Sequence, residues 1–175
     1  MTTTLFTNVS IFEGTKPKAK PGDVLVEGNR VKAVSARRGA IDRARAAHVI
    51  DGAGATLMPG LVNPHCHFTY NNATSLADIT ALPVEENLLV TLQNAATYID
   101  YGFTAVIGMA SAKPRLEVVV RDAVNAGKFP GPRILASTPE YTVSGGVGDD
   151  SRLDLYVPSI GRAGRISQID PRTRA

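Results

Sequence analysis

Leu57-Met58-Pro59-Gly60-Leu61-Val62-Asn63-Pro64-His65-Cys66-His67-Phe68 is the stretch that decides how this chain folds. It is an apolar run around a Pro-Gly step, reads as a strand, and ends on two of the chain's three histidines. Successive strand side chains point to opposite faces, so His65 and His67 share one face and Cys66 takes the other. Imidazoles two positions apart lie roughly 7 Å apart at Cβ, so both can reach one ion through bonds of about 2.1 Å. A bare His-x-His is ordinary loop chemistry. At the end of a hydrophobic strand the same pair reads as two metal ligands, His65 and His67.

Downstream of this strand the texture is strand alternating with helix. A loop is expected from Thr69 to Pro83. Leu88, Leu89, Leu92, Ala95, Ala96 and Ile99 recur at helical spacing between Glu85 and Tyr101, and Gly102 stands where a C-terminal cap belongs. A strand from Phe103 to Met109 follows. Arg115 to Ala126 reads as a second helix with Leu116, Val119, Val120, Ala123 and Val124 on its apolar face, ended by Gly127; Arg133 to Ser137 reads as a third strand. Short connections between such units argue a parallel sheet. Near-continuous apolar strands such as Ala105-Val106-Ile107 suit a sheet covered on both faces.

Upstream, Leu5 to Phe12 and Val24 to Val34 alternate apolar and polar residues, with Gly14, Pro17, Pro21-Gly22 and Gly28-Asn29 as turn signals. Val49-Ile50 adds a short strand, and Ala40 to Ala47 reads as either helix or polar loop. The pattern is that of part of a small β-sandwich.

With 175 residues, 43% of them hydrophobic and 20% charged, the chain has the make-up of an ordinary globular domain. It contains no apolar run long enough for a bilayer, and Met1 to Phe6 lacks the basic start and apolar stretch of a secretion signal. One cysteine, Cys66, cannot form an internal disulfide, which suits the cytoplasm. The net charge of +3 resides in residues 151–175, where Arg152, Arg162, Arg165, Arg172 and Arg174 face only Asp154 and Asp170. That tail holds a single aromatic residue, Tyr156, and no nucleic-acid motif, so neither nucleic acid nor membrane is expected as a partner.

Pro59-Gly60-Leu61-Val62-Asn63-Pro64-His65-Cys66-His67 resembles the first-strand signature of the amidohydrolase superfamily, Pro-Gly-[Leu/Phe]-[Ile/Val]-Asp-x-His-x-His. Residues 23–31 and 49–54 resemble the family's small N-terminal β-domain. Tyr101-Gly102-Phe103-Thr104-Ala105-Val106 is similar to its second barrel strand, and Gly131-Pro132-Arg133-Ile134-Leu135-Ala136-Ser137 to its third. The last two are similar to the branch containing imidazolonepropionases and related hydrolases of amides, ureas and carbamates. The resemblance covers about residues 5 to 150. It implies an α/β chain holding the first three strands of a (β/α)8 barrel behind part of a β-sandwich. The expected limits are 1–56 for the β-domain, 57–150 for the barrel units and 151–175 for an arginine-rich tail.

The resemblance also implies a metal-dependent hydrolase of carbon–nitrogen bonds in small amides, carbamates, ureas or cyclic amides. Its metal would be one or two divalent ions, zinc foremost, with a small molecule as substrate. The family adds a carboxylated lysine or glutamate from strand four, histidines from strands five and six, and an aspartate from strand eight. Only His65 and His67 carry over. A catalytic zinc takes about three protein ligands, so the chain is expected to be an N-terminal fragment, inactive alone or completed by a complementing fragment or a second copy. The alternative is a non-catalytic remnant or interaction subunit.

Other candidate donors read more plainly as structural. His48 sits in the β-domain, Cys66 faces away from the histidines, and Asp149-Asp150 follow glycines as a solvated turn. Asn63 stands where the family has an aspartate that orients the histidines. Val147 replaces a histidine in Ser144-Gly145-Gly146-Val147-Gly148-Asp149, which resembles a Thr-Gly-Gly-His-Gly-Asp segment of part of the family. Tyr70, Asn71 and Asn72, just past His67, are candidate substrate contacts because barrel enzymes build their sites at the C-terminal ends of strands. From Gly161 onward, the loss of any helical period amid arginine, glycine and alanine predicts that the native frame was lost or the gene truncated. An intact downstream frame coding for the missing ligands would confirm this on resequencing, and noncoding sequence there would count against it.

Overall fold

Alternating residues near the N-terminus build the first sheet. In the computed structural model, which describes residues 2–143, Gly146 and Gln168–Ile169, the chain divides into the units Met1–Pro59 and Gly60–Ala175. In the first unit β1 (Thr3–Ile11), β2 (Lys20–Glu27), β3 (Arg30–Ser35), β4 (His48–Asp51) and β5 (Thr56–Leu57) form one five-stranded sheet. β1 lies at its centre, antiparallel to β2 and parallel to β4 and β5. The alternating stretch from Val24 to Val34 falls in two strands joined at the Gly28-Asn29 turn signal, where Gly28 takes φ 58° and the chain folds back on itself. Ala40 to Ala47 holds only a three-residue 3-10 turn, Arg43–Arg45, capped by the Asp42 side chain accepting from the Ala44 amide. Leu5, Leu25 and Ile41 form the core of this unit. Fully buried Asp23 ties it together by accepting from the Asn8 and Ala40 amides. The described residues of this unit contain one sheet; the sequence reading expected part of a small β-sandwich.

The second unit follows the strand–helix pattern. β6 (Leu61–Cys66), β7 (Phe103–Gly108) and β8 (Arg133–Leu135) lie side by side in that order, all parallel. Two helices connect them, α2 (Val84–Asp100) and α3 (Leu116–Asn125). α2 begins after Pro83 with Glu85 and Glu86 in its first turn, where carboxylates suit the helix dipole. It ends at Gly102, whose φ of 83° only glycine adopts without strain. Cys66, Phe68, Ala95, Val106, Val120 and Ile134 make the core, with Leu88, Leu92, Tyr98 and Val124 packed against it.

Three details depart from the sequence reading. The loop from Thr69 to Pro83 contains a short helix, α1 (Leu76–Ala81), started by Ser75, whose hydroxyl accepts from the Asp78 amide and donates to its carboxylate. The apolar face of α2 is not the whole stripe. Leu89 is 68% and Ile99 39% exposed, while Asn87, Thr91 and Ala95 are buried. On α3, Val119 is exposed and Glu117 is buried in its stead, for a reason that appears at the ends of the strands. The glycine-rich segment 144–149, Asp149, Asp150 and the tail 151–175 lie outside the described residues. The exceptions are Gly146 and the short strand β10 (Gln168–Ile169), which pairs in parallel with β9 (Thr142–Val143).

Candidate metal centre

β6 carries His65 near its C-terminal end, and His67 follows directly after it. Both imidazoles are exposed, whereas Cys66 between them is 3% exposed and belongs to the core. The alternation therefore holds where it matters: the two rings meet edge to face, 5.1 Å between centroids. Their Nε2 atoms are 3.2 Å apart. Nitrogens bound tetrahedrally to one ion at about 2.1 Å would be roughly 3.4 Å apart. The pair fits a shared divalent cation, with no rotamer change needed to bring the nitrogens together.

Asn63 does not follow the simple alternation. The β6–β7 pairing shifts register between Asn63 and Cys66, and both residues reach the helix side of the sheet. The Asn63 Nδ2 donates to the Tyr98 hydroxyl at 3.3 Å, and its Oδ1 accepts the His65 backbone N–H at 3.1 Å. Tyr98 in turn hydrogen-bonds to the Cys66 thiol, which burial pushes above its ordinary pKa. Asn63 thus acts on the backbone beneath the histidine and does not touch the imidazole.

The loop beyond His67 is held just as firmly. Tyr70 stacks on the His67 ring at 4.5 Å and 22°. Asn71 and Asn72 both take left-handed backbone, φ 54° and 56°, a conformation asparagine tolerates better than most residues. The Asn71 side chain donates to Asn87 Oδ1 and accepts from Asn94 Nδ2, and Asn94 also donates to the Phe68 carbonyl at 2.8 Å. Of the three residues read as substrate contacts, Asn71 is engaged with α2 and Tyr70 with His67, while Asn72 is exposed.

Beside β7 and β8 lies a carboxyl that the sequence reading passed over. Glu117 is fully buried, and its Oε2 accepts from the Ser137 amide at 2.7 Å and the Ser137 hydroxyl at 3.0 Å. Its Oε1 has no hydrogen-bond partner. Burial raises its pKa to about 7, and the two bonds from Ser137 moderate the rise. The carboxyl sits against Gly108, in the space a side chain there would fill.

Among the described residues the structure brings no third donor to the histidines. Among the described residues no group of three or more His, Cys, Asp or Glu side chains could hold a metal. His48 opens β4 in the first unit and is exposed. Asn87, Asn94 and Tyr98 were missed because each sits inside an apolar helical stripe; the signal was their own spacing, close to whole helical turns.

No family model matches the chain, and no curated protein matches it by sequence. Solved structures do. A crystal structure of an amidohydrolase is 28% identical, with a TM-score of 0.69, and the match covers 83% of this chain and 33% of that one. The chain belongs to the amidohydrolase superfamily. Another matching amidohydrolase fold is a prolidase complexed with N-methylphosphonate-L-proline, 26% identical with a TM-score of 0.73, covering 85% of this chain and 35% of that one. A Xaa-Pro dipeptidase with methionine bound in its active site is 25% identical, again with a TM-score of 0.73, over 86% of this chain and 36% of its own. This amidohydrolase chain spans about a third of the length of the structures it matches.

Proposed function

We propose that this chain supplies the opening part of a metal-dependent hydrolase that cleaves a carbon–nitrogen bond in a small amide, carbamate, urea or cyclic amide. The observation that carries the reading is the 3.2 Å separation of the His65 and His67 Nε2 atoms at the end of the first strand of an amidohydrolase fold. The prolidase and dipeptidase named among the matches favour an amide-type bond. His65 and His67 would hold a divalent ion, zinc in this proposal, through Nε2, and the ion would supply a water of lowered pKa and polarisation of the scissile carbonyl. Tyr70 packs on the far side of His67, and the described loops at the strand ends furnish one wall of the substrate site. Further ligands and the proton-shuttling group come from outside the described residues. The protein is proposed to work in the cytoplasm, with a complementing chain or a second copy completing the barrel. No described helix is long and apolar enough to cross a membrane.

The test is a zinc titration of the purified chain beside the His65→Ala/His67→Ala double variant. Stoichiometric zinc in the parent and none in the variant supports the reading. Equal binding by both overturns it.

A second reading, a non-catalytic remnant or interaction subunit, is favoured by the presence of only two candidate donors among the described residues. Turnover of a small amide on adding a chain that carries the remaining barrel strands would exclude it.

A further inference from the structure

Helix α2 carries neither histidine, yet hydrogen bonds from it reach both sides of the pair. At its C-terminal end Tyr98 receives the Asn63 amide, and Asn63 holds the His65 N–H. Earlier in the helix Asn87 and Asn94 hold Asn71, and Asn94 also holds the Phe68 carbonyl, immediately after His67. That second anchorage fixes the turn in which the Tyr70 amide donates to the His67 carbonyl at 3.0 Å and the Tyr70 ring covers the His67 imidazole. Asn87 is fully buried and Thr91 donates to its side-chain oxygen and its carbonyl, so the anchor is itself fixed.

We infer that Tyr98 and Asn94 are positioning residues: α2 sets the separation of the His65 and His67 nitrogens from beneath, through Asn63 on one side and the Asn71 turn on the other. The physical case is one of preorganisation. Two exposed imidazoles on flexible side chains lose rotamer freedom when they share an ion, and that cost falls when their backbone and one ring face are already held. Tyr98 also explains how the site works with Asn63. An aspartate would only accept hydrogen bonds at this position. An amide both accepts from His65 N–H and needs an acceptor for its own N–H. The Tyr98 hydroxyl is that acceptor. Groups one step removed from a metal typically change affinity by about 10- to 100-fold when lost.

This inference rests on the metal-binding reading above, and its test is built so that the two can fail separately. Zinc affinity is measured by chelator competition for the full chain, for Tyr98→Phe, for Asn94→Ala, and for Leu92→Ala, which weakens α2 packing without touching either anchor. In the metal-free proteins two further signatures are read: hydrogen exchange at the His65 amide, and the ring-current shift that Tyr70 imposes on the His67 protons. The expected result is about tenfold weaker zinc binding or more in Tyr98→Phe and Asn94→Ala, and less than twofold in Leu92→Ala. Faster His65 exchange is expected in the first variant and a lost ring-current shift in the second. Equal weakening in Leu92→Ala would reduce the effect to helix stability and overturn the inference, as would unchanged signatures in the two anchor variants. If the parent chain binds no zinc, the metal reading fails, and the metal-free signatures alone decide whether α2 positions the pair.

Discussion

Cys66 stands between two exposed imidazoles, where a thiol would be an attractive soft ligand, yet its side chain is turned into the core at 3% exposure. A thiol so placed is shielded from reagents in the folded protein. Labelling by a disulfide reagent should therefore be at least about tenfold slower without denaturant than with it; fast stoichiometric labelling of the native chain would contradict that inward orientation. The same residues show what a local rule can and cannot read. Strand alternation assigned His65, Cys66 and His67 to their faces because it depends only on neighbouring residues. It could not place Asn63, because the β6–β7 register shifts between Asn63 and Cys66, and such a shift depends on the partner strand.

At the scale of elements, periodicity located α2 and α3 to within a residue or so at each end, since apolar spacing and flanking proline and glycine act within the segment. What it could not read is the polar side of each buried face. Asn87 points inward on α2 to meet the turn after His67, with Thr91 bonded to it, and Glu117 points inward on α3 to meet Ser137. Those partners lie 16 to 20 residues away along the chain. α1 was legible in principle, from the Ser75-x-x-Asp78 start signal, but six residues give no apolar period to notice.

Glu117 makes α3 sensitive to pH. Its pKa is about 7 in the folded chain against 4.5 for a free side chain, so between those values the folded state binds the extra proton. Stability from this group is full below about pH 4.5 and is lost as pH rises through 7. The loss is on the order of 3 kcal/mol at most, by the conversion of 1.36 kcal/mol per unit. Glu117→Gln keeps the acceptor for Ser137 and removes the titration. Denaturant unfolding of both proteins from pH 4 to pH 8, buffer values chosen to bracket the transition, should show curves that converge in acid and a variant more stable in alkali. Parallel curves would mean the carboxyl titrates alike in the folded and unfolded chain.

For the whole molecule, the three-stranded sheet of the second unit leaves the outer sides of β6 and β8 without a strand neighbour among the described residues. Val62 on β6 is 56% and Leu135 on β8 64% exposed. Unpaired edges with apolar side chains template association. Light scattering over a concentration series should therefore show self-association of this chain, suppressed when a chain bearing the other barrel strands is supplied. A monomer of constant mass at every concentration would contradict the exposed edges. The parallel order β6-β7-β8 was legible because each connection is a helix of ordinary length. Whether a second sheet covers the first was not legible, because alternation within a strand reports only that one of its faces is covered.

Gly108 and Glu117 occupy one volume between them, since the carboxyl fills the place of the missing side chain. Replacing Gly108 with alanine alone should cost about 1–3 kcal/mol through overpacking, measurable as a lower denaturant midpoint. The two positions are then not free to drift independently during evolution. A lineage can gain a side chain at position 108 only after position 117 has shortened, and while 108 stays bare, a shortened 117 leaves a void. In related sequences the pair should change in that order, so a tree of such sequences would carry a record of the lock.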